Sequence, residues 1–421
     1  MSILRAVKGM NDLFCPELNI WQKIEKTAAE IFSAYGFQEI RTPILEELSL
    51  YVRGVGEESD IVAKEMYALK DRDEKMLSLR PEGTAGVVRA VIENSKVGLD
   101  GELKSFYVGP MFRRERPQKG RLRQFHQIGV EFFGVAEASV DVEVIAMLHD
   151  FLAALGLQDL KLILNTLGQP EERVDYLKAL YDYFVFHSDN ICSDCQRRLQ
   201  KNTLRILDCK QPQCVKISED APLILAFLSE ESLEHFNEVQ AGLTRLSIPY
   251  EVSPRLVRGL DYYNRTVFEI VASSGLGAQN AVAAGGRYDG LVKKLGGSDV
   301  PAFGFAAGIE RIVLLLIEQS GAAQAIPLDV VLVYADSIGK EKAFELLYQL
   351  RRKNIKADLD HKSRSVKAQM RRADRLGSKT VLVIGEKEVQ EQSGQLKLLS
   401  TGETLSVSLV CSAIEEALQI N

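Results

Sequence analysis

The stretch Phe112 to Glu131, FRRERPQKGRLRQFHQIGVE, gathers the residue types that a nucleotide site needs. Arg113 to Arg123 hold six Lys or Arg and one acid, Glu115, in a chain of formal charge −6. Guanidinium forks match phosphate oxygens two at a time, Arg113 and Arg121 among them. Phe125 offers a flat ring for stacking on a base, and the stretch closes on a carboxylate, Glu131. A solvated, charged hairpin loop accounts for the same composition, so the decision rests on partners elsewhere in the chain.

Three further segments supply candidates. Leu256 to Tyr263, LVRGLDYY, carries Arg258, Tyr262 and Tyr263, and Ala284 to Leu291, AGGRYDGL, carries Tyr288. Leu79 to Thr84, LRPEGT, places Glu82, Gly83 and Thr84 at the head of an apolar helix, where they serve equally as a helix cap. Arg311 follows Glu310 at the start of another apolar helix in GFAAGIER. A buried Arg there needs an anionic partner, either a ligand or its neighbour Glu310. No G-x-x-x-x-G-K-[ST] occurs, and the Gly pairs at 54/56 and 275/277 lack the third Gly of a dinucleotide fingerprint. Phosphates must then be held by side chains.

The elements that position these residues follow from periodicity. Ile20, Ile24, Ala28, Ile31 and Phe32 have helical spacing, and MYALKDRDEKMLSL reads as a hairpin around a charged turn. Ser105–Met111 and Gln127–Phe133 read as strands, which makes the basic stretch the loop of a long antiparallel hairpin. Residues 171–235 are polar and helical, carry four of the six Cys and interrupt the strands, as an inserted subdomain with little apolar content to hold it together. Beyond the small-residue linker GAAQAIP the pattern becomes strand–helix alternation, a separate small α/β domain.

Cys192, Cys195, Cys209 and Cys214 have the spacing C-x2-C-x13-C-x4-C, close to that of a four-thiolate zinc site. The alternative is four unliganded thiols with Cys209 packed inside. The 421-residue length implies two or three domains. A pI near 5.7 excludes a uniformly basic nucleic-acid coat. Residues 351–379 nevertheless set eleven Lys or Arg against three Asp, net +8, which leaves −14 on the rest of the chain. The first residues lack a secretory signal, no apolar run is long enough for a membrane span, and the thiols suit a reducing cytoplasm.

Taken together, these segments resemble a class II aminoacyl-tRNA synthetase, and within that class a bacterial histidyl-tRNA synthetase. GFQEIRTPILEELSLY with Pro43, FRRERPQKGRLRQFHQIGVE and GFAAGIERIVLLL match the three class motifs; LVRGLDYYNRTVFE and AAGGRYDGLV match two histidine-specific blocks. The resemblance spans essentially the whole chain. It implies an α+β multidomain protein. Its catalytic domain (1–325) is built on an antiparallel β-sheet with flanking helices and a helical insertion at about 171–235. An α/β anticodon-binding domain (326–421) follows.

The resemblance also implies the chemistry: ATP-dependent ligation of L-histidine to tRNA, with Mg²⁺ beside ATP, in a cytoplasmic homodimer. By position, Arg113 and Arg258 are catalytic and bridge the histidine carboxylate and the α-phosphate. Glu115, Phe125 and Arg311 hold adenine, and Arg121 the γ-phosphate. Glu82, Gly83, Thr84 and Gln127 surround the α-amino group. Glu131 and Tyr263 read the imidazole, and Tyr262 and Tyr288 wall the site. Arg116, Gln118 and Lys119 meet the tRNA acceptor end. The family does not generally require zinc. The rival is a related histidine-binding regulatory protein of the first histidine-biosynthesis enzyme. It typically lacks the C-terminal domain and degrades these arginines, all of which stand here.

Overall fold

In the computed structural model, residues 3–57, 59–97, 101–277, 280–321 and 326–420 are described. They divide into two compact units, 1–14 with 20–322, and 15–19 with 323–421.

In the first unit the strands are β1 (Gln38–Glu39), β2 (Leu45–Glu47), β3 (Tyr67–Lys70), β4 (Met76–Leu79), β5 (Leu103–Phe112) and β6 (Gln124–Phe133). They continue with β7 (Leu160–Thr166), β8 (Tyr250–Val252), β9 (Asn264–Ala272), β10 (Ala281–Arg287) and β11 (Ala302–Gly308). Eight form one sheet in the order β1-β5-β6-β11-β10-β9-β7-β8, antiparallel except for the outer pairs β1/β5 and β7/β8. β2, β4 and β3 form a small antiparallel sheet, so MYALKDRDEKMLSL is a hairpin.

The sheet is half covered because its strands alternate. On one face Phe106, Val130 and Phe305 meet helices Glu17–Ala34 and Ala138–Ala154; Phe32 packs edge-on against Phe106, Phe151 and Phe305 at 5.6, 5.4 and 6.0 Å. On the other face the residues opposite one another are small. Glu131 pairs with Gly304, Gly304 with Gly286, Gly129 with Ala306, and Ala306 with Ala284. Directly opposed residues share a face, so β10 and β11 give this surface a small-residue floor, bordered by Tyr107, Gln127 and Glu131 from β5 and β6 and by Glu269 from β9.

β5 and β6 pair over ten residues, from Leu103↔Phe133 to Phe112↔Gln124. The basic stretch emerges from the open end of this ladder. Both strands run longer than their apolar alternation suggests, because the ladder continues through Pro110, His126 and Gln124.

Between β7 and β8 lie helices Arg173–Phe186, Ser193–Lys201, Pro212–Ser218 and Glu230–Arg245. Contrary to the expectation of little apolar content, this stretch holds a buried apolar stripe. Tyr176, Leu180 and Phe184, one helical turn apart, are buried with Ile191, Leu199, Ile206 and Ile224. Polar residues on the outer faces dilute that stripe in the composition.

The second unit contains β12 (Val330–Tyr334), β13 (Ala357–Leu359), β14 (Thr380–Ile384), β15 (Ser393–Leu398) and β16 (Thr404–Ser408), ordered β13-β12-β14-β15-β16. The first three are parallel and β15 and β16 antiparallel. Helices Ser337–Arg352 and Val366–Arg375 make the crossovers that parallel strands require. Asp336 caps the first by accepting from the Gly339 N–H at 2.7 Å. Part of the basic stretch is neutralised internally: Arg372 pairs with Asp358 at 2.6 Å and Arg364 with Asp360 at 2.5 Å. Lys367, Arg371 and Arg375 remain exposed. Among the described residues no helix is long and apolar enough to cross a membrane.

Candidate active site

Above the small-residue floor opens a cavity of about 450 Å³ in the first unit. Its wall holds Arg113, Arg121, Arg258 and Arg311, which sequence spacing alone could not place together. Glu82, Thr84, Glu115, Phe125, Gln127, Tyr262, Tyr263 and Tyr288 also line it.

The arginines are held by local structure. Arg113, just past β5, donates from Nε to the Pro81 carbonyl at 2.9 Å, and its guanidinium lies 5.1 Å from the Phe125 ring centre. Arg121 pairs with Glu115 at 2.7 Å, so two expected ATP contacts engage each other. Arg311 donates to the carbonyls of Gly120 and Ala281. Glu310 instead accepts from the His126 backbone N–H at 2.9 Å and lies 3.0 Å from His126 Nδ1. The neighbour network that would have explained Arg311 without a ligand is therefore absent. Burial and the nearby Arg121 charge lower the Arg311 pKa, the signature of a cation short of counter-charge. Arg258 pairs with Glu269. Burial works most strongly against its charge, but the surrounding Glu269, Tyr263, Asp208 and Tyr262 together hold its pKa above the ordinary value.

The far end of the cavity is a nest of buried oxygen atoms. Glu131, on β6, is 1% exposed and lies beneath the cavity surface beside Gly304, where a Cβ on residue 304 would strike its carboxylate. The Tyr288 hydroxyl donates to its Oε2. Burial pushes the Glu131 carboxyl up to about 8, although that hydrogen bond opposes the shift. Glu82 accepts from the backbone N–H groups of Thr84 at 2.7 Å and Ala85 at 2.9 Å, so it caps helix Thr84–Glu93 while facing the cavity. Burial raises its pKa despite those bonds. Gly83 is required by packing: a Cβ there would meet the Tyr107 ring. Burial raises all three tyrosine hydroxyls, Tyr263 to about 12 and Tyr262 and Tyr288 well above the ordinary value, so they stay protonated. Glu131 Oε1, Gln127 Oε1 and Arg258 Nε are buried without a hydrogen-bond partner. Buried polar atoms left unpaired are costly, and here they converge on one cavity.

Arg116, Gln118 and Lys119 lie outside the cavity, exposed on the loop, where the Gln118 and Arg121 backbones bond reciprocally at 3.0 and 2.9 Å. Arg287, in the same segment as Tyr288, is fully buried away from the cavity wall and pairs with Asp141. Cys192, Cys195, Cys209 and Cys214 come together, all four sulfurs within 4.8 Å of one another.

Sequence reasoning missed Tyr107, Glu65 and Glu269, and the insertion residues Arg198, Arg205, Asp208 and Lys210, all of which line the cavity. Arg198 and Arg205 each lie 3.8 Å from Asp60. The only signal for them was the run of charge in RRLQKNTLRILDCK, which reads equally as a solvated surface.

Residues 9–174 and 198–312 match the family model described as histidyl-tRNA synthetase, and residues 329–417 match that of an anticodon-binding domain. The chain is 46% identical to the histidine--tRNA ligase of Syntrophotalea carbinolica, covering 99% of this chain and 98% of the relative. With the histidine--tRNA ligase of Anaeromyxobacter dehalogenans it shares 48% identity, covering 96% and 97%. Among solved structures, apo Staphylococcus aureus histidyl-tRNA synthetase superposes with a TM-score of 0.81 at 36% identity, covering 99% of both chains. A Bacillus halodurans structure described as an ATP phosphoribosyltransferase regulatory subunit/histidyl-tRNA synthetase has a TM-score of 0.66 at 21% identity, covering 91% and 99%. That last likeness speaks to fold alone. The chain belongs to the histidyl-tRNA synthetase family.

Proposed function

We propose that this chain activates L-histidine with ATP and transfers it to the 3′ end of its cognate tRNA, through a histidyl-adenylate. The observation that carries the reading is the convergence of Arg113, Arg121, Arg258 and Arg311, among six arginines, on a cavity whose lining residues Tyr288 and Gly304 cover the buried Glu131 carboxyl. In the first step a histidine carboxylate oxygen attacks the α-phosphorus and the bond to pyrophosphate breaks. Charge builds on the phosphoryl oxygens, where fixed cations help most. Arg258 and Arg113 bridge the carboxylate and the α-phosphate, and Arg121 leaves Glu115 for the γ-phosphate. That exchange frees Glu115 to accept from the adenine amino group, while Phe125 and Arg311 flank the base. In the second step a terminal ribose hydroxyl of tRNA attacks the acyl carbon and AMP leaves.

Mg²⁺ travels with the ATP phosphates and supplies counter-charge during transfer. Glu65, whose carboxylate feels Glu115, Arg113 and Arg121, is the kind of oxygen donor it takes. Glu131 and Tyr263 serve the two imidazole nitrogens, and Glu82, Thr84 and Gln127 the α-amino group. A site built on paired polar contacts rejects analogues that lack them by roughly four to five orders of magnitude, which removes the need for an editing site. Arg116, Gln118 and Lys119 face the acceptor end, and the exposed bases of Val366–Arg375 face the anticodon. A cytoplasmic homodimer completes the reading.

The regulatory alternative is disfavoured by the match of 329–417 to an anticodon-binding domain and by the four intact arginines. Charging separates the two readings. The intact protein should attach labelled histidine to tRNA and form AMP in equal amount; histidine binding without charging would favour the regulatory protein.

A further inference from the structure

The insertion brings four thiols to one point. Cys192, Cys195, Cys209 and Cys214 form no disulfide, and their sulfurs lie within 4.8 Å of one another. They arrive from three pieces of chain: the start of helix Ser193–Lys201, the turn beyond Thr203–Ile206, and helix Pro212–Ser218. Three are buried and Cys192 is half-buried. Four thiolates around Zn²⁺, with Zn–S of about 2.3 Å, put their sulfurs about 3.8 Å apart. The Cys192 and Cys209 sulfurs are separated by 3.8 Å. The Cys192 backbone N–H also donates to Cys214 Sγ at 3.2 Å, a contact of the kind that orients a thiolate ligand. A multi-iron cluster spreads its cysteine sulfurs wider than this set.

We propose that Cys192, Cys195, Cys209 and Cys214 bind one Zn²⁺ through four thiolates. The centre also fixes one wall of the candidate active site. Cys209 sits between Asp208 and Lys210, which line the cavity with Arg205. Arg205 bonds Asp208 at 3.3 Å, and Asn202 donates to Asp261 at 3.0 Å. Arg198 already donates to the Arg205 carbonyl at 3.1 Å, and four thiolates on one ion would add a coordinate tie between Cys209 and helix Ser193–Lys201. Cys192 and Cys195 fall between the two segments that match the family model. The consequence for the wall rests on the cavity being the ATP site; the metal site does not.

The test begins with metal analysis of the full chain, purified reduced and without histidine or ATP. About one zinc per chain is expected, whether or not the cavity activates histidine. Cobalt(II) exchanged into the site should give thiolate charge-transfer and tetrahedral ligand-field absorption. Cys192→Ser and Cys214→Ser should each lower zinc content roughly tenfold or more. Should either fail to fold, mercurial titration of the wild-type chain should release zinc as four thiols react. Metal-free protein with four freely reactive thiols, paired disulfides, or iron in place of zinc overturns the proposal. Zinc-stripped chain should show a several-fold higher KM for ATP; an unchanged KM overturns the coupling to the wall and leaves the metal site standing.

Discussion

Glu131→Gln keeps the shape of the side chain and removes its titration, which makes it the sharpest probe of how the imidazole is read. Burial pushes the Glu131 carboxyl up to about 8, while a free imidazole titrates near about 6.5. At neutral pH both partners therefore meet uncharged, with one proton between them on Glu131. The complex keeps that single proton, shared across the carboxyl–imidazole contact. Below about pH 6.5 the ligand arrives with a second proton that must be released; above about pH 8 Glu131 arrives without its own, and one must be taken up. Histidine affinity should peak between these limits and fall on each side by up to roughly tenfold per pH unit.

Gln cannot ionise, so the inflection near pH 8 disappears in the variant. Only the later titration of the ligand's α-amino group remains on that side, and the acid limb stays. A hydrogen bond to a charged group contributes about 1.5–3 kcal/mol, so at the optimum Glu131→Gln should weaken histidine roughly ten- to a hundredfold. Calorimetric titration of both proteins across this pH range provides the assay. An inflection near pH 8 that survives in the variant, or an affinity within about threefold of wild type, refutes the reasoning.

Arg258→Ala should slow adenylate formation by roughly a hundredfold or more and weaken histidine binding far less, as seen by rapid quench beside equilibrium binding. Equal losses in both would reduce Arg258 to a binding role. Gln118→Ala should leave pyrophosphate exchange almost intact and slow transfer to tRNA, since Gln118 is exposed outside the cavity; a collapse of exchange would contradict that separation. Arg287→Ala should cost about 3–5 kcal/mol in denaturant unfolding, because it strands the fully buried Asp141. A loss under about 1 kcal/mol would mean that Asp141 finds other partners.

Local patterns carried much of this architecture. Alternation in Ser105–Met111 and Gln127–Phe133 marked the hairpin, and the small residues of AAGGRYDG and GFAAG lie opposite one another on β10 and β11. The parallel strands of the second unit followed from strand–helix alternation. Pairings across long separations were not legible. Nothing local tells that Arg287 meets Asp141, 146 positions away, or that Tyr288 bonds Glu131. The Glu115–Arg121 pair is hidden for another reason: each side chain also suits a nucleotide, and nothing local shows that the two pair with each other. The stripe of Tyr176, Leu180 and Phe184 was lost in a polar average. Arg198 and Arg205 reach the cavity only because the insertion folds back on the sheet's open face.

Histidine-dependent exchange of pyrophosphate into ATP tests the central claim most directly, because it reports adenylate formation with no tRNA present. The intact chain should exchange with L-histidine and with no other standard amino acid, and Arg258→Ala should abolish most of the signal. Absence of exchange in the folded wild-type chain, or exchange driven equally well by other amino acids, would contradict the account.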